Sequence, residues 1–83
     1  MRPDDRQFAS LINMSMDAVA VTSRDEVESF PIWIAANDWL KANGHSTVPL
    51  GAWSRVMAST GCRMTPARWE NGNRARILGF KLR

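Results

Sequence analysis

Residues 63–82 read RMTPARWENGNRARILGFKL, and the Asn71-Gly72 pair inside that stretch decides how the chain folds. Asn and Gly both accept positive φ, which a tight hairpin turn demands. Arg63 to Trp69 and Arg74 to Leu82 are therefore expected to be the two strands of a β-hairpin. In the second strand, Leu78, Phe80 and Leu82 are expected to point inward, alternating with Ile77, Gly79 and Lys81. Pro66 has no N–H to give to a ladder, so the first strand is expected at an edge or with a bulge.

Upstream of the hairpin the period changes from two to 3.6. Leu50, Trp53, Val56 and Met57 recur at helical spacing and leave Gly51, Ala52, Ser54, Arg55, Ala58 and Ser59 on the other side. This predicts a helix over about 49–60, with Pro49 near its first position, Ser46 or Thr47 as cap, and Gly61 as its stop. A helix over 31–43 precedes it. Ile32, Ala35, Ala36 and Trp39 line its inner side, with Trp33 and Leu40 widening it, while Asn37, Asp38 and Lys41 face away. Asn43-Gly44 closes it. The first helix covers about 5–20, where Phe8, Leu11, Ile12 and Ser15/Met16 form one stripe. Asp4 and Asp5 stand where a helix N-terminus favours negative charge. Val19-Ala20-Val21 suits either a last turn or a short extended piece. Residues 22–30 read as a connector with a helical turn at 24–29, because Ser23 and Glu26 match a capping box. Residues 1–4 read as a flexible end.

The chain has 83 residues, which is room for one domain and a small core. Its 45% hydrophobic content excludes disorder throughout. A single cysteine forms no internal disulfide, which suits a reducing cytoplasm. The longest apolar run, Ile32 to Ala36, is far short of the roughly 20 residues that span a bilayer. The N-terminal residues show no export signal, so no membrane partner and a cytoplasmic location are expected.

Catalysis has little to stand on. There is one His, one Cys and no Tyr, and the five glycines are scattered rather than gathered in a phosphate loop. His45 and Cys62 are too far apart in sequence to suggest a zinc site. No enzyme activity, cofactor or metal is expected. His45 reads as a solvated turn residue, with a phosphate contact as the sharper alternative. Cys62 reads as a small residue at the start of a strand. Trp33, Trp39 and Trp53 read as core, whereas Trp69 either folds onto the sheet or offers a stacking face.

The net charge of +3 is unevenly laid out. Residues 1–42 carry four basic and seven acidic side chains; residues 43–83 carry seven basic ones against Glu70 alone. Nine of the eleven cations are arginine, the side chain suited to two-point phosphate and guanine contacts. Arg55 falls on the third helix, and Arg63, Arg68, Arg74 and Arg76 on the hairpin, where the sequence sets no acid beside them except Glu70. A helix for the major groove and a hairpin along the backbone are the two DNA-touching elements of a winged helix. Ser54, Ser59 and Thr60 add short hydroxyls near the same helix face, and Asn71 and Asn73 sit at the turn.

Residues 32–83 also resemble a known family, the C-terminal domains of primase–helicase proteins from phages, satellite phages and plasmids. The matching pieces are Trp39-Leu40-Lys41-Ala42-Asn43-Gly44, Pro49-Leu50-Gly51-Ala52-Trp53-Ser54-Arg55, Gly61, Asn71-Gly72-Asn73-Arg74-Ala75-Arg76 and Gly79-Phe80-Lys81-Leu82-Arg83. Ala35 and Ala36 replace aromatics usual in that family, and Trp53 stands where Phe is common. The resemblance implies a DNA-binding winged helix-turn-helix, with Arg55 on the recognition helix and Arg74 and Arg76 in the wing.

The sequence thus predicts a small α+β domain over 1–83, a three-helix winged helix-turn-helix whose wing is a C-terminal β-hairpin at 62–82. Its expected partner is duplex DNA. The Gly-, Ala- and Ser-rich outer face of the third helix favours weak or shape-driven specificity. Two rivals stand beside this: a phage-type protein–protein module or homodimer that uses the fold as scaffold, and recognition of RNA or single strands with Trp69 as platform.

Overall fold

Arg6–Val19 form helix α1 in the computed structural model, which describes residues 5–65 and 74–83. Ile12, Ser15 and Met16 are its buried face, and Phe8 and Leu11 pack half-buried beside them. Ser15 tolerates this apolar setting because its Oγ donates to the Ile12 carbonyl at 3.1 Å.

Ala20–Glu28 then form strand β1. This corrects the expected connector over 22–30. The capping box does not form there; the Ser23 Oγ accepts from the Asp25 amide at 3.0 Å instead. Phe30–Ala42 form α2, Leu50–Ser59 α3, Arg63–Thr65 β2 and Arg76–Leu82 β3. Among the described residues these make a small α+β domain of three helices and one antiparallel sheet, ordered β1-β3-β2. β3 is therefore the central strand. It pairs with β1 from Ala20↔Leu82 to Glu28↔Arg76, and with β2 from Arg63↔Leu78 to Thr65↔Arg76. The β1 register shifts between Thr22 and Glu26, a bulge that carries the exposed Arg24 and Asp25.

Part of the expected facing of β3 is reversed. Ile77 is fully buried, while Leu82 is 41% exposed. Val27 and Met64 stand opposite Ile77 on either side, so one apolar row crosses all three strands and meets the helices. α1 packs against both α2 and α3. Ile12, Ile32, Leu40, Trp53, Val56 and Ile77 are the buried centre of that packing. Trp53 sits there with its indole N–H lacking an acceptor among the described residues.

Two further expectations need adjusting on the second and third helices. The inner stripe of α3 is Ala52, Trp53, Val56 and Met57, which leaves Leu50 off its edge and 39% exposed. Neither Ser46 nor Thr47 caps α3: the extended Pro49 is the N-cap, and no side chain bonds the free amides. The loop before α3 is fastened from α2 instead. Asn37 accepts from the Val48 amide at 2.9 Å and donates to the Val48 carbonyl at 3.0 Å. Trp33 Nε1 donates to the same carbonyl at 2.8 Å. Asn37 thus turns inward rather than away, drawn by two backbone groups of the buried Val48 that need partners. Gly44 and Gly61 end α2 and α3 at φ +77° and +96°, the left-handed cap expected of them.

Candidate nucleic-acid interface

Arg55 leaves α3 one turn after Gly51, where an added Cβ would lie 3.3 Å from its Nη1. The guanidinium runs past this gap to Asp5, with Nε at 2.8 Å from Oδ2 and Nη2 donating to Oδ1 at 3.0 Å. Two-point charge-assisted pairs of this kind are the strong ones. The Asp5 side chain is 2% exposed and that of Arg55 44%, so the buried partner is the carboxylate. The pair fastens the start of α1 to α3.

The small hydroxyls near Arg55 are also engaged. Ser59 Oγ donates to the Val56 carbonyl and Thr60 Oγ1 to the Met57 carbonyl, both at 2.7 Å. These bonds close the last turn of α3 and use the hydroxyl protons, leaving lone pairs outward. Ser54 lies half-buried one turn earlier.

On the sheet, the expectation that the arginines of the second half stand without acids is overturned by topology. β1, which carries acids of the first half, lies directly beside β3. Arg74 Nη1 is 2.7 Å from Glu28 Oε1, and Arg76 Nε is 3.4 Å from Glu26 Oε1. Arg76 Nη2 also donates to the Glu26 backbone carbonyl at 2.9 Å. Lys81 Nζ lies 3.9 Å from Asp25 Oδ2. Glu28 stands opposite Arg76, so the close pairs are diagonal ones across the two strands. Arg63, at the other edge, is exposed and has no ion pair among the described residues. Arg68, Asn71 and Asn73, together with Pro66 and Trp69, lie outside the described residues.

α3 and the basic strand meet at one hollow of about 390 Å³. Ser29 and Phe30 line it from the start of α2, Leu50 and Ser54 from α3, and Arg74 and Ala75 from the approach to β3. The Ser29 amide donates to the Ala75 carbonyl at 3.1 Å and holds the two walls together. Phe30 is 50% exposed and rests tilted against Trp33, ring centres 5.3 Å apart. Ser54 and Arg74 are thereby brought to one surface, while Arg55 is turned toward Asp5.

His45 is exposed and stacks on Trp39 at 6.2 Å. Cys62 is half-buried, its Sγ 3.6 Å from Thr60 Oγ1. Among the described residues, no group of three His, Cys, Asp or Glu side chains could hold a metal ion. No described helix is long and apolar enough to cross a membrane.

Sequence reasoning missed Asp5, Glu26 and Glu28 as partners of the basic residues. No local signal marks them, because each reaches a cation about fifty positions away. No family model, curated protein or solved structure matches this chain.

Proposed function

We propose that this domain is a winged helix that binds duplex DNA with weak sequence preference, as part of a replication or regulatory protein of phage or mobile-element type. The observation that carries the proposal is the shared surface of Ser54 on α3 and Arg74 at the approach to β3. The order helix, strand, helix, helix, strand, strand, with β1 beside β3, is compatible with a winged helix. α3 would meet the major groove, and the β2–β3 pair would lie along the backbone as the wing. Arg63, Arg74 and Arg76 would neutralise phosphates and release counterions; Ser54 and the outward oxygens of Ser59 and Thr60 would add polar contacts. Arg55 serves the fold first, through Asp5. The resemblance of residues 32–83 to primase–helicase C-terminal domains points the same way and supplies the biological setting.

The test is a fluorescence titration of duplex DNA over a salt series. With three to five phosphates neutralised, log affinity is expected to fall against log salt with a slope of roughly −3 to −4.5. Absence of binding at low ionic strength sinks the proposal. The double variant Arg74→Gln/Arg76→Gln is expected to lose most of the binding, since two guanidiniums that would meet phosphate are gone. Gln is preferable to Glu here, because a Glu would face Glu26 and Glu28 and strain the sheet by like-charge repulsion.

A protein-binding module is the second proposal, favoured by the exposed Phe30 and Leu50 in the same hollow. Its signature is a protein partner lost on Phe30→Ala with DNA binding absent throughout.

A further inference from the structure

We propose that Glu26 and Glu28 act as resident stand-ins for DNA phosphate, occupying the wing arginines in the free protein and setting its affinity and salt response. This rests on the DNA-binding function proposed above. The geometry behind it is a matched pair of spacings. Glu26 and Glu28 lie two apart on β1, Arg74 and Arg76 two apart on the facing chain, and the β1–β3 register brings each carboxylate to one guanidinium. A carboxylate presents to a guanidinium the same kind of anionic oxygens that a phosphate does.

The pairs are built to exchange rather than to lock. The Arg74 side chain is 65% exposed and that of Glu28 37%, so the ion pair is solvated and individually weak. A phosphate can take over the guanidinium without opening the core. Arg76 keeps an anchor throughout the exchange, because its Nη2 donates to the Glu26 backbone carbonyl, which a change to the Glu26 side chain leaves in place. The displaced carboxylates do not leave. They remain on the neighbouring strand, well within the ~10 Å over which charges are felt at 0.1 M salt, and repel the incoming backbone. The wing is therefore basic by sequence and nearly neutral by structure. That combination suits a domain that engages DNA weakly by itself and tightly when a second domain or copy holds it there.

Glu26→Gln, Glu28→Gln and the double variant test this on the whole chain, by duplex-DNA titration over the same salt series. Gln keeps the shape and a hydrogen-bonding oxygen while removing the charge. Each substitution is expected to tighten binding about two- to fivefold at low salt, the range an exposed ion pair commands. Each is also expected to steepen the salt slope by about 0.9, since one more cation becomes free to release counterions. Asp38→Asn, in a different hollow beside Trp33 and Lys41, changes the net charge equally and is expected to leave affinity unchanged. Far-UV circular dichroism confirms that each variant is folded. Arg76→Gln on the double-variant background, which removes a cation without restoring a carboxylate, must undo part of the gain.

Unchanged affinity and slope in a folded double variant, beside a wild type that binds, overturn the inference and leave DNA binding standing. An equal gain from Asp38→Asn also overturns it, as a net-charge effect. Binding by neither protein at low salt overturns both proposals.

Discussion

Arg55 connects two parts of the chain fifty positions apart, and the half of the pair that needs it is the one without water. A buried carboxylate loses its hydration and must regain the difference from hydrogen bonds and opposite charge. Arg55→Ala removes both bonds to Asp5 and is expected to lower stability by about 1–3 kcal/mol, read from urea unfolding. Arg55→Lys restores the charge without the two-point fork and should recover only part of that. If Arg55→Ala weakens DNA binding with no change in the unfolding midpoint, the residue belongs to the interface and its role as a staple is wrong. The helix face that presents Arg55 is plain in the sequence. Its destination is not, because nothing in local spacing marks Asp5 as more than a favourable charge at a helix start.

At the scale of the elements, α2 does two tasks. Its Ile32, Ala36 and Leu40 enter the core, and its Trp33 and Asn37 hold the following loop at Val48. Asn37→Ala leaves a buried amide without its acceptor and is expected to cost about 1–3 kcal/mol. Asn37→Asp keeps an acceptor for the amide but sets a carboxylate against the Val48 carbonyl, so it should be at least as harmful. Thermal melting of the two variants decides the order. The helices themselves were legible because each carries its own apolar stripe, and α2 and α3 also carry a glycine stop. β1 was not, for the opposite reason. Most of its nine residues are polar or half-exposed, and its regularity comes from a partner strand. The Ser23–Glu26 spacing imitated a helix start in a segment with no apolar period to contradict it. The inward turn of Ile77 was likewise hidden, since Gly79 at φ +128° interrupts the strict alternation between Ile77 and Phe80, both of which meet the core.

Across the whole molecule, the separation of charge along the sequence is largely undone by folding. The acids of β1 and the bases beside β3 are brought within ion-pair distance, and the same contact ties the first half of the chain to the second. β1 and β2 each pair with β3 and not with one another. Deleting residues 76–83 therefore removes every strand pairing of the described sheet, together with the buried Ile77. Such a chain is expected to lose cooperative unfolding altogether, seen as a sloping melt without a midpoint by circular dichroism. A sharp transition in that deletion would mean that the three helices fold without the sheet.

The central place of β3 also sets an order of events during synthesis. β1 is made early, but the strand it pairs with follows about fifty residues later. At 5–20 residues per second this is roughly 3–10 s. Through that interval the helices can gather locally, while the edge of β1 has no strand of its own chain to meet. Its run of charges, Arg24, Asp25, Glu26 and Glu28, gives that waiting edge protection against pairing with the wrong chain.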